Sequence, residues 1–259
     1  MVAQTIALFR FQLIGIVNRR LLLSLLMLLL LAFLGGRFVA SLALIDSEAV
    51  ALAAEADFLR YALVLMMIVG ISAWIARDYE SGQLERLLAM PLTRLHYLLT
   101  LFAVMSVLAA LLGAAAALPL LAVNVGAGLY WGMAVFLELL LAGQLAVLAI
   151  LSLERLPQAI LLALGLYLLA KLGPVIDLAL RHSSRYFSDE TGFQVGQHLF
   201  LVIRSLLPGD AAFAQNNLLL MSQPQWAAAL FAQFTQAVIY LLFLQAVIFA
   251  DFYRKELGR

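Results

Sequence analysis

Side chains able to do chemistry are sparse in this chain, and they do not assemble into a catalytic set. The only lysines are Lys171 and Lys255, and neither follows a glycine, so there is no phosphate-cradling G-x-x-x-x-G-K-[ST] loop. His96, His182 and His198 are scattered, without the close spacing of metal ligands. Neither a G-x-S-x-G elbow nor an H-E-x-x-H helix occurs. The absence of cysteine removes disulfides and thiolate ligands. The sequence therefore reads as a non-catalytic chain with no cofactor or metal of its own.

Two groups of charged residues remain. The first is Glu138 and Lys171, each set within a long apolar run. Charge at membrane depth is costly and normally faces protein or water. Each lies nine residues from the same end of its run, about 13 Å at the helical rise of ~1.5 Å per residue. On antiparallel neighbours they can form a buried ion pair; the alternative is a polar lining for a substrate path. The second group is the stretch Arg77 to Tyr97, where charges cluster between two apolar runs. Leu84, Leu87 and Leu88 fall at i, i+3 and i+4, which predicts a short amphipathic helix over 80–90. Asp78 and Glu80 lie at its start, where the helix dipole favours negative charge. Pro91 ends it, and Thr93 can cap the next helix.

Hydrophobic residues make up 65% of the 259 and charged residues 12%, with a mean hydropathy of +1.04. No soluble domain of this size hides so much apolar surface, so the chain reads as an all-α integral membrane protein. Residues 4–17, broken by Gln4, Arg10 and Gln12, are too short to span and suit an interfacial helix. Spans are expected at 21–42, 58–76, 95–120, 129–151, 158–180 and 226–250. Asp46, Glu48, Glu55 and Asp57 read as an acidic outer loop, and Asn124–Gly128 as a glycine-rich turn. Arg37 is placed to snorkel to the interface. Pro174 predicts a break in the fifth span. The outer segment 181–225 contains a short apolar helix over 195–207, ended by Pro208 and Gly209. Gly128-x-x-x-Gly132 matches the small-residue packing pattern of membrane helices, and Gly192-x-x-x-Gly196 repeats it in the outer segment. Gln233, Gln236 and Gln245 can bond between helices or line a path. The basic pair Arg19-Arg20 precedes an apolar run, but too much chain comes before it and no small-residue cleavage site follows, so a cleavable leader is not expected.

Sidedness follows from the basic residues. Of 16 lysines and arginines, all but Arg37, Arg60, Lys171, Arg181, Arg185 and Arg204 fall on the side of the two termini. By the positive-inside rule both termini and the Arg77 stretch are cytoplasmic. A net charge of +1 argues against a nucleic-acid partner.

The run Glu80-x-Gly82-x-Leu84-Glu85-x-Leu87-Leu88-x-x-Pro91-Leu92-Thr93-Arg94 resembles the E-x-G-T-L-E-x-L-L-x-x-P-[hydrophobic]-[S/T]-R signature of type-2 ABC exporter permeases. Gln83 departs from it where threonine is usual, and Thr100 stands where relatives often carry lysine. The resemblance covers about 15 residues in motif and the whole chain in layout. It implies a six-span permease with an interfacial N-terminal helix and a cytoplasmic coupling helix in the bacterial inner membrane. The coupling helix would dock into a groove on a separate ATPase subunit, which binds the ATP and Mg. The expected docking residues are Glu80, Gly82, Leu84, Glu85, Arg86, Leu87, Leu88, Pro91 and Arg94. A homodimer or a heterodimer with a second permease is implied, with an extracytoplasmic partner as a variant in which the permease transmits force. Outside the family, an ion-coupled carrier using Glu138 is the other reading, although no inverted repeat is visible.

Overall fold

The computed structural model describes residues 2–16, 19–42, 47–82, 94–121, 124–187, 191–209, 213 and 226–254. Among them there is no strand. The described residues form eight helices: α1 (Val2–Ile16), α2 (Arg19–Leu42), α3 (Ser47–Glu80), α4 (Arg94–Leu121), α5 (Val125–Leu153), α6 (Leu156–Phe187), α7 (Thr191–Ser205) and α8 (Trp226–Arg254). Six of them, all but α1 and α7, are long and apolar enough to cross a membrane. The protein is an all-α, multi-pass membrane protein. In a bilayer no water is available for the backbone, so helices satisfy every peptide group internally.

Helix α5 is the axis of the bundle. It packs against α3, α4, α6 and α8, and Leu139, Ala142, Ala146, Val147 and Ile150 are all fully buried. The side-chain contacts give the helix directions. Tyr97 stacks on Phe252 and Phe102 meets Phe249 edge-on, so α4 and α8 are antiparallel. Gln233 on α8 bonds the Ala134 carbonyl on α5, and Ser152 on α5 bonds Asp251 on α8. That constant offset makes α5 and α8 parallel. The α3–α4 connection, the α5–α6 connection and the end of α8 therefore share one end of the bundle. By contrast α2 packs on α3 and leaves Leu26, Met27, Leu30 and Phe38 exposed.

The seam between α4 and α5 is closely packed at its glycines. A Cβ added at Gly128 would lie 2.7 Å from the Leu121 nitrogen, and one at Gly132 would lie 2.9 Å from the Ala117 Cβ. Only hydrogen at these positions lets the two backbones approach, which is the use expected of this glycine pair. Gly192 and Gly196 face open space. Outside the seam, Ala110, Ala114, Leu118, Met133 and Phe136 line an apolar groove of about 530 Å³.

Several sequence expectations are corrected. Glu48, Glu55 and Asp57 are not in a loop, because α3 starts at Ser47. Arg37 bonds Glu48 at 3.4 Å, and Glu55 is buried where Gly36 leaves room for it. The Asn124–Gly128 turn is the first turn of α5, with the Asn124 side chain accepting from the Ala127 N–H at 3.1 Å. Pro174 does not break α6, which runs on to Phe187. Membrane helices accommodate proline where neighbouring groups satisfy the freed carbonyl.

Candidate functional site

The deepest polar residues converge on Glu138, which is fully buried on α5. Tyr167 and Lys171 are one turn apart on α6 and so share a face. Tyr167 donates its hydroxyl to Glu138 Oε1 at 2.5 Å, and Lys171 Nζ stands 3.9 Å from the same oxygen. Helix α3 supplies Arg60, only 3% exposed. Its guanidinium pairs with Asp57 one turn earlier and lies 4.6 Å from the Tyr61 ring centroid and 5.6 Å from that of Trp131. Phe213, also buried, meets Tyr167 edge-on at 5.7 Å and lies 5.0 Å from Lys171 Nζ. Three helices thus hold two cations and two carboxylates in balance, with aromatic faces around both cations.

Charge balance is what makes the cluster tolerable. A lone buried carboxylate would carry a large desolvation cost, and opposite charges with hydrogen bonds offset much of it. Glu138 and Lys171 are brought together as antiparallel neighbours. Arg60 was not expected at this depth, since a span starting at residue 58 leaves it at the rim. With α3 beginning at Ser47, Arg60 falls well inside the bundle. Two spacings carried the signal: Asp57 and Arg60 at i, i+3, and Tyr167 and Lys171 at i, i+4.

At the other end of α3 the helix stops in a defined way. Ser81 N–H donates to the Arg77 carbonyl and Gly82 N–H to that of Tyr79, at 3.0 and 3.1 Å. Gly82 has φ +66, the left-handed conformation in which glycine is at no disadvantage. Glu80 is the exposed last residue of α3, with Asp78 two residues before it, so these carboxylates close α3 and do not open the helix expected over 80–90. Of the other expected docking residues, Leu84, Glu85, Arg86, Leu87, Leu88 and Pro91 lie outside the described residues, as does most of the 80–90 helix. Arg94 opens α4.

The same end of the bundle gathers buried hydroxyl groups. Tyr97 is 2% exposed, and neither its hydroxyl nor that of Tyr79 has a hydrogen-bond partner among the described residues. Thr100 is buried and bonds the carbonyls of His96 and Tyr97. Among the described residues no group of His, Asp and Glu could hold a metal ion. Gln233 serves as a tie between helices, its amide donating to Ala134 O at 2.8 Å. No family model and no curated protein matches the chain.

Proposed function

We propose that this chain is the membrane subunit of an ATP-binding cassette exporter, non-catalytic itself and driven by a separate ATPase. The reading is supported above all by the junction at Gly82. A long apolar helix ends there in a left-handed glycine, and the sequence that follows matches the docking signature from Glu80 to Arg94. On this reading α1 lies at the cytoplasmic interface, the two termini and the α3–α4 connection are cytoplasmic, and the subunit works as a homodimer or beside a second permease in the bacterial inner membrane. Closure of the ATPases on ATP would draw the two docking segments together and switch the cavity between the subunits. Leu84, Leu87 and Leu88 would fill the ATPase groove, with Glu85 and Arg86 at its rim.

The test is co-purification. Truncating a buried leucine at such a contact costs about 2 kcal/mol or more, and rim charges cost less. The double change Leu84→Ala, Leu88→Ala should leave the permease folded in the membrane while the ATPase is lost. Retention of both the ATPase and transport would reduce the segment to a surface loop. A second reading, an ion-coupled carrier, draws on the buried Glu138 cluster; it requires transport in membranes that lack any ATPase partner.

A further inference from the structure

Helix α5 is enclosed by four neighbours, yet one strip of it is left uncovered. Between Ala127 and Leu151 its exposed residues are Leu129 and Met133, and both line the groove that α5 shares with α4. We propose that this groove binds one acyl chain of a bilayer phospholipid, taken by its hydrocarbon and not by its headgroup. Such binding needs neither an ATPase partner nor a particular sidedness of the chain.

The groove has the length of one leaflet. Along α4 its lining runs from Ala110 to Leu121, the last residue of the helix, about 16 Å at the helical rise. Half of the hydrocarbon core of a bilayer is about 15 Å. The groove thus extends from near the middle of α4 to the end away from the α3–α4 connection. Its width suits a chain and not a helix. Spread over that length, about 530 Å³ gives a cross-section of ~30 Å², against ~80 Å² for a helix ~10 Å across. A hydrocarbon one methylene wide fits inside, whereas a helix of a second copy would only lie over the rim.

The chemistry points the same way. The lining consists of alanine, glycine, leucine, methionine and phenylalanine, so no side chain in it can bond a sugar, a peptide or a charged group. From Leu95 to Glu154 neither helix offers a lysine or arginine to a phosphate. Lipid tails are as apolar as leucine, so the hydrophobic effect does not choose between groove and bilayer. Packing does. Ala110, Ala114 and Gly132 leave a recess where the two backbones meet; a Cβ added at Gly113 would lie 2.8 Å from the Gly132 carbonyl oxygen. An empty recess would deprive its lining of van der Waals contacts, and a flexible chain is the component of the bilayer that can follow its shape.

The test is native mass spectrometry of the full chain, released from nanodiscs of equal parts phosphatidylglycerol and phosphatidylcholine with identical acyl chains. Each chain should retain one phospholipid, with the two headgroups about equally represented. Ala114→Phe fills the groove from an exposed position and should lose that lipid, while Leu161→Phe on the exposed face of α6 should keep it. Retention of the lipid by folded Ala114→Phe overturns the proposal, as does an unsubstituted chain that carries no lipid or selects a single headgroup. Dissociation of a dimer in Ala114→Phe assigns the groove to a second copy of the chain and overturns it too. Should Ala114→Phe fail to fold, Ala110→Phe fills the same groove, and a lipid retained there is equally fatal.

Discussion

Replacing Glu138 by glutamine keeps the shape of the side chain and removes one charge from the centre of the bundle. The carboxylate serves Tyr167 and Lys171 together. Its loss removes the one oxygen that both of these side chains meet. Breaking a buried pair from one side costs about 3–5 kcal/mol. Lys171→Met should cost less. At 3.9 Å the ammonium is beyond normal hydrogen-bond reach of Glu138, so its contribution is mainly Coulombic, about 4 kcal/mol at an effective dielectric of ~20. Relief of the largely buried ammonium offsets much of that, and Tyr167 still holds Glu138, leaving a net loss of about 1–2 kcal/mol. The double variant restores charge balance and should be more stable than Glu138→Gln alone. At about 2–4 °C per kcal/mol for a chain of this size, the Glu138→Gln midpoint should fall by on the order of 10 °C. Thermal unfolding of the purified variants in one detergent, followed by tryptophan fluorescence, measures the order. A Lys171→Met loss equal to that of Glu138→Gln, or strictly additive losses in the double variant, would refute the shared-carboxylate account.

Two further outcomes follow from the packing and the charge distribution. Gly128→Ala puts a methyl against the Leu121 backbone rather than a flexible side chain; the seam must open, lowering stability by about 1–3 kcal/mol, whereas Gly192→Ala, which meets nothing, should be neutral in the same melt. Reporters fused after Arg94 or at the C-terminus should behave as cytoplasmic and one near Ser188 as external, and an external Arg94 fusion would overturn the six-span arrangement proposed here.

The helical class and the six long apolar helices were legible because a bilayer imposes a length of about 20 apolar residues on each span. Helix ends were less so. Glu48 and Glu55 looked like loop residues because their charges are visible in sequence, while the Arg37 side chain and the room beside Gly36 that meet them belong to another helix; Asp57 is met by Arg60 within α3 itself. Pro174 removes a backbone donor locally, yet α6 continues, since packing of the flanking turns outweighs one lost bond. Glu138 and Lys171 stood out as charges in apolar runs. Arg60 did not, because its depth depends on where α3 begins, and Tyr167 and Phe213 are ordinary residues until the fold sets them beside Glu138. The helix expected over 80–90 ran through Gly82, where α3 in fact stops at a φ of +66 that few other residues tolerate.

The central position of α5 also bears on how the chain is made. Helices emerge in order, so α5 enters the membrane when α3 and α4 are already there and α6 and α8 are not. At that moment Tyr167 and Lys171, which Glu138 meets in the folded chain, have not yet been made. The carboxylate-bearing helix thus enters before those partners lower its cost, and α6 supplies them some thirty residues later. Arrest of synthesis between α5 and α6 would leave α5 with two of its four neighbours and Glu138 without Tyr167 and Lys171. That half-built intermediate is where an insertion chaperone or a quality-control protease would find most to recognise.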